Sequence, residues 1–112
     1  MKIELDHIGL ITNQKKGMEK FAPGMKAWIS NPKDNPFNIE WLRFEDDSPV
    51  KGPVREKNHI AYLVDDIEEA SEGLKVLMQP FKAENYLKIG FYEYEDGTVL
   101  ELMQFLGINS DK

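Results

Sequence analysis

The sequence predicts an α+β fold built from one strand-led unit used twice. Three observations predict it. The segment Asp6-His7-Ile8-Gly9-Leu10-Ile11-Thr12 returns as Asn58-His59-Ile60-Ala61-Tyr62-Leu63-Val64. The segment Ile39-Glu40-Trp41-Leu42-Arg43-Phe44 returns as Leu100-Glu101-Leu102-Met103-Gln104-Phe105, and a stretch of helical character follows the leading strand in each half. Such self-similarity marks a supersecondary unit that buries its apolar face against a second copy. Each half therefore reads as a β-α-β-β(-β) unit, and the 112 residues as one domain, with module one at about 1–50 and module two at about 56–108.

Residues 3–12 (IELDHIGLIT) are rich in β-formers and stop at Asn13. The polar stretch 13–20, with Met18 and Phe21, reads as a short, poor helix ended by the breaker pair Pro23-Gly24. Residues 26–30 are a short strand, 31–36 a loop and 37–44 an alternating strand, followed by a linker at 45–57 rich in Asp, Pro and Gly. The second half restarts with NHIAYLV. Asp66-Ile67-Glu68-Glu69 then opens a helix whose Ile67, Ala70, Leu74 and Leu77 share a face, weakened by Gly73 and ended before Pro80. Residues 79–85 fit no single pattern. Residues 86–94 and 98–106 are strands joined by a Glu95-Asp96-Gly97 hairpin turn.

Composition narrows the partners. With 20 acidic against 14 basic residues the formal charge is -6, so the surface repels phosphate backbones and anionic membranes. Met1 leads directly into a strand pattern without an apolar run of signal-peptide length, and no stretch approaches the roughly 18 apolar residues of a membrane span. The expected compartment is the cytoplasm. There is no cysteine, so strong metal ligands are limited to imidazole and carboxylate.

The chain has only two histidines, and both lie near the start of a leading strand. At a period of two, His7 shares a face with Gly9 and Ile11, His59 with Ala61 and Leu63, Glu40 with Leu42 and Phe44, and Glu101 with Met103 and Phe105. Carboxylates and imidazoles on otherwise apolar faces call for mutual pairing or for a cation. Two blander readings stay open: hydrogen-bonded strand histidines, and glutamates at outward positions of edge strands. Trp28, Phe37, Trp41, Phe91, Tyr92 and Tyr94 are open between pocket lining and core. The acidic runs 45–47 and 65–69 read as solvated turn and helix-start charges.

On the His-Ile repeat, the apolar-Glu-apolar closing strands and the YEYEDGTVLELMQ ending, the chain resembles the vicinal oxygen chelate superfamily of glyoxalases, epimerases, extradiol dioxygenases and bleomycin-resistance proteins. The resemblance covers nearly the whole chain and implies βαβββ modules forming a cupped, mixed β-sheet around one divalent metal. By position it implies His7, Glu40, His59 and Glu101 as metal ligands, with Glu101 and Glu40 as catalytic carboxylates. The first half is shorter between its landmarks than the second. A shortened or missing strand is expected there, with Glu40 an optional fourth ligand.

The activity so implied is that of a metal-dependent lyase or isomerase. A divalent ion (Zn, Ni, Co, Mn or Fe) polarises a substrate carbonyl while a carboxylate moves a proton on the adjacent carbon. The competing class is a non-catalytic small-molecule binder of the bleomycin-resistance type. No diagnostic context marks a cationic clamp for a substrate tail among Lys26, Arg43, Arg55 and Lys88. The resemblance also implies a homodimer acting on a small molecule.

Overall fold

Strand pairing dominates the computed structural model, which describes residues 1–84 and 86–107. The chain divides into two compact units, His7–His59 and a second made of Met1–Asp6 with Ile60–Lys112. The division falls within the first strand and just after the first residue of the fifth.

In the unit His7–His59 the strands are β1 (Ile3–Ile11), β2 (Glu19–Ala22), β3 (Ala27–Ser30) and β4 (Ile39–Phe44), paired in the order β2-β3-β4-β1. The sheet is mixed: β2/β3 and β3/β4 are antiparallel, while β1 and β4 run parallel. No helix forms over 13–21; the stretch is irregular up to Met18 and β2 begins at Glu19. Pro23-Gly24 turns a hairpin instead of ending a helix, with Met25 N donating to Ala22 O at 3.1 Å and Lys26 accepting a φ of 49°. Phe21 and Trp28 face each other across the hairpin with ring centroids 4.8 Å apart. Arg43 on β4 grips Glu19 with two hydrogen bonds of 3.0 and 2.6 Å, so β2 is held by its side chains. This half has four strands, of which β2 and β3 are only four residues long, and no helix between β1 and β2.

The run 31–36 contains a 3-10 turn, Pro32–Asp34, capped by the Asn31 side chain, which accepts from Lys33 N at 2.8 Å. The stretch 45–57 is partly docked. Ser48, Val50 and Val54 are buried, Ser48 Oγ donates to Met25 O at 2.5 Å, and Pro53–Glu56 form a one-turn helix, α1.

The other unit contains β5 (His59–Val64), α2 (Ile67–Ala70), β6 (Lys75–Glu84), β7 (Leu87–Glu93) and β8 (Val99–Phe105), with strand order β5-β8-β7-β6. Asp66 caps α2, its side chain accepting from Glu68 N at 3.0 Å. The helix ends at Ala70, one turn in, well short of the expected Leu77. Gly73 adopts a φ of +84°, a left-handed conformation that stops helix propagation, and Leu77 lies on β6. Ala70 and Leu74 still pack on the buried cluster of Val64, Ile67, Tyr92 and Leu102. The stretch 79–84 is strand, Asn85 lying outside the described residues. Pro80 has no amide to donate, and the β6/β7 register shifts between Met78 and Phe81. The expected hairpin turn is present. Tyr94 N donates to Thr98 O at 2.9 Å, Gly97 takes a φ of 92°, and Asp96 Oδ1 accepts from Thr98 N at 3.0 Å.

Both units are strand-dominated with little helix, as an α+β chain of this pattern requires. Among the described residues no helix is long and apolar enough to cross a membrane.

Candidate metal centre

The β1/β4 register puts Gly9 opposite Glu40, so Glu40 shares a face with Gly9 and, two residues earlier on β1, with His7. Loop chemistry sets that register. Asn35 Oδ1 accepts from Phe37 N (3.0 Å) and Ile39 N (3.2 Å), its Nδ2 donates to Ile39 O at 2.9 Å, and Ile8 N then meets Asn38 O at 3.1 Å. At the far end of β1, Thr12 N donates to Leu42 O at 2.9 Å. Asn58 brings in the second imidazole: its Oδ1 accepts from Ile11 N at 2.9 Å and sets His59 beside β1.

Among the described residues, His7, Glu40 and His59, all within the unit His7–His59, offer side-chain donors that could hold a metal ion, and their geometry there is specific. His7 Nε2 lies 3.4 Å and His59 Nε2 3.7 Å from the same oxygen, Glu40 Oε1. The rings stand 5.9 Å apart between centroids and nearly perpendicular, at 79°. A charge-assisted N–H···O⁻ hydrogen bond is about 2.7–2.9 Å long. Two donors bound at about 2.0–2.2 Å to one ion lie roughly 3 to 3.5 Å apart. The observed separations match the edges of a coordination polyhedron better than they match hydrogen bonds. Both histidines are buried, at 4% and 2% exposure, and the Glu40 side chain is 14% exposed. An anionic oxygen drawn in among imidazoles at such burial is stabilised by a cation. The all-nitrogen-and-oxygen donor set suits a borderline divalent ion.

Glu101 lies in the other unit, on β8, in register with Phe91 of β7 and 7% exposed. It shares its strand face with Met103, and with Ile89 and Phe91 across the β7/β8 pair. The edge-strand, outward-facing reading of this carboxylate is thereby overturned.

Of the aromatic candidates, Phe91 and Tyr92 are core, each at 2% exposure, and burial pushes the Tyr92 phenol above its ordinary pKa. Trp28 is tied by Nε1 to Glu45 Oε2 at 2.8 Å and lies under the Arg43 guanidinium, while Phe37 and Tyr94 are exposed. The candidate cationic clamps are largely engaged elsewhere. Lys26 pairs with Asp47, Arg43 with Glu19, and Arg55 lies over the Phe44 ring and donates to Glu45 O at 3.2 Å. Lys88 is in register with Gln104 on β8. Sequence reasoning passed over Asn35 and Asn58. The signal for Asn58 was present, since an Asp or Asn precedes the histidine in both copies of the repeat.

No family model matches the chain, and no match was found among curated proteins.

Proposed function

We propose that this chain is a divalent-metal-dependent lyase or isomerase of the vicinal oxygen chelate type, built from two βαβββ-related modules of which the first lacks its helix. The observation that carries the reading is the single Glu40 oxygen set 3.4 and 3.7 Å from two buried imidazole nitrogens. In this reading His7 and His59 hold the ion through Nε2, and Glu40 is a full ligand. Glu101 is assigned as the fourth ligand on the strength of the sequence repeat and of its burial on an apolar strand face. The bound ion supplies Lewis-acid polarisation of neighbouring substrate oxygens.

The residues do the rest. The histidines fix the site's position. Glu40 and Glu101 are the carboxylates of the group, each able to accept a proton from a carbon acid. One removes a proton from the carbon beside the carbonyl and the other returns it. The proposed assembly is a homodimer, supported by apolar side chains left exposed on β1, Ile3 at 53% and Leu5 at 63%.

The test is deuterium exchange at the carbon next to the carbonyl. The metal-loaded protein is run over a panel of α-oxo thiohemiacetals, 2-substituted acyl thioesters and hydroxy ketones. Exchange in at least one member is expected. Glu101→Gln should keep part of the metal while exchange falls by about 100 to 10,000-fold. A protein that exchanges no proton yet binds an aromatic ligand tightly without metal belongs to the binding class instead.

A further inference from the structure

We propose that Gly9 is a positioning residue: the absence of a side chain there admits the His59 imidazole to the site. This inference rests on the metal-site reading. A Cβ placed on Gly9 would lie 2.1 Å from His59 Cε1, 2.3 Å from Nε2 and 2.6 Å from Nδ1, which is inside the ring's van der Waals envelope. Backbone conformation is not the reason for glycine here. Gly9 is absent from the glycines with positive φ and sits in the regular β1 ladder, where any residue fits. In the same unit Gly17, Gly24 and Gly52 have nothing within 4 Å of their would-be Cβ. Glycine also weakens a strand interior, so its presence in β1 marks a close approach.

The approach is centred on the site. Gly9 is the direct cross-strand partner of Glu40, follows His7 by two residues on the same face, and lies against the His59 ring. The ring cannot simply recoil, since His59 is 2% exposed. Any larger residue at position 9 drives His59 Nε2 away from Glu40 Oε1 and leaves a His7–Glu40 pair.

Gly9→Ala tests this on the full chain, with Co(II) as the metal probe. The two histidines give two Cε1–H resonances in the metal-free protein, and His59→Ala identifies which is which. Gly9→Ala should shift the His59 resonance and leave that of His7 in place. Co(II) affinity should fall by about 10 to 100-fold, as when a ligand's supporting group is lost. The Gly9→Ala/His59→Ala double variant should bind Co(II) no more weakly than His59→Ala alone. If Gly9→Ala is too unstable to study, the double variant decides: adding His59→Ala relieves the clash and should restore folding, whereas equal instability overturns the proposal. Wild type and Gly9→Ala binding Co(II) alike, with unmoved resonances, overturns this inference alone. A wild type that takes up no Co(II) overturns the metal reading and this inference with it.

Discussion

The two units spend their buried volume differently. The unit Met1–Asp6 with Ile60–Lys112 buries Ala61, Val64, Ile67, Ile89, Phe91, Tyr92, Val99, Leu102 and Met103, with Glu101 the polar exception among its described residues. The unit His7–His59 buries fewer and smaller apolar groups, Met25, Ala27, Leu42, Val50 and Val54, alongside His7, Ser30, Ser48 and His59. The half with the weaker core therefore holds three of the four ligand candidates. Its side chains are placed by strand register and asparagine hydrogen bonds, which need no packed helix. The larger apolar core and three of the four ligand candidates thus lie in different stretches of the chain.

The largest effect should come from His7→Ala. Removing one of two imidazoles from the three-donor cluster should abolish stoichiometric metal uptake and activity together, read as bound metal in the purified protein. The metal-free fold should survive, because a site of buried imidazoles and a carboxylate is tuned for binding at the expense of stability. The melting temperature of metal-free His7→Ala should thus equal or exceed that of metal-free wild type. A collapse of the fold in His7→Ala would show that the cluster holds the unit together and would break the comparison.

The second perturbation acts on the opposite unit. Ile67 is fully buried in the Val64, Tyr92 and Leu102 cluster, so Ile67→Ala should cost about 2 to 5 kcal/mol in urea unfolding. Metal affinity measured below the new transition should stay within about threefold of wild type, since Ile67 offers no donor atom and three of the four ligand candidates belong to the other unit. A large loss of affinity would mean that the ligand cluster depends on the aromatic core.

Part of this division was legible in the sequence. β1, β3, β4, β5, β7 and β8 followed from the residue pattern, whereas β2 and β6 did not, and the His/Glu group followed from the repeat of Asp/Asn-His-Ile and of apolar-Glu-apolar strings. Helix lengths were not legible, because they turn on backbone conformation. Gly73 at φ +84° ends α2 after one turn, although Leu74 and Leu77 continue the helical spacing. Pro23-Gly24 can end a helix or turn a hairpin, and the contacts that decide it, Phe21 with Trp28 and Glu19 with Arg43, span several elements. Glu40 shows the same limit from the other side. The shorter first half left it an optional fourth ligand. Yet spacing from His7 is irrelevant once β1 and β4 pair in parallel and set Gly9 against Glu40.

The smallest effect belongs to the Glu19–Arg43 pair, which anchors β2 in the unit with the lighter core. The Arg43 guanidinium, through its forked hydrogen bonds, holds the Glu19 carboxyl below its ordinary value of 4.5. A folded-state pKa lowered beneath the unfolded one contributes stability above the unfolded value and loses it as pH falls through the folded value. The pair's contribution should therefore be constant at neutral pH and fade below about pH 4.5. Other carboxylates titrate in the same range, so the informative quantity is the difference between wild type and Glu19→Gln in urea midpoint, followed from pH 7 downward. That difference should be positive at pH 7 and shrink towards zero in acid. Metal affinity at pH 7 should be the same in both proteins, because Glu19 pairs across β2 and β4 through Arg43, on the strand face opposite Glu40. A difference that grows as the pH falls would assign the pair the wrong sign. A loss of metal affinity at pH 7 would show that β2 and its hairpin help to hold Glu40 in place.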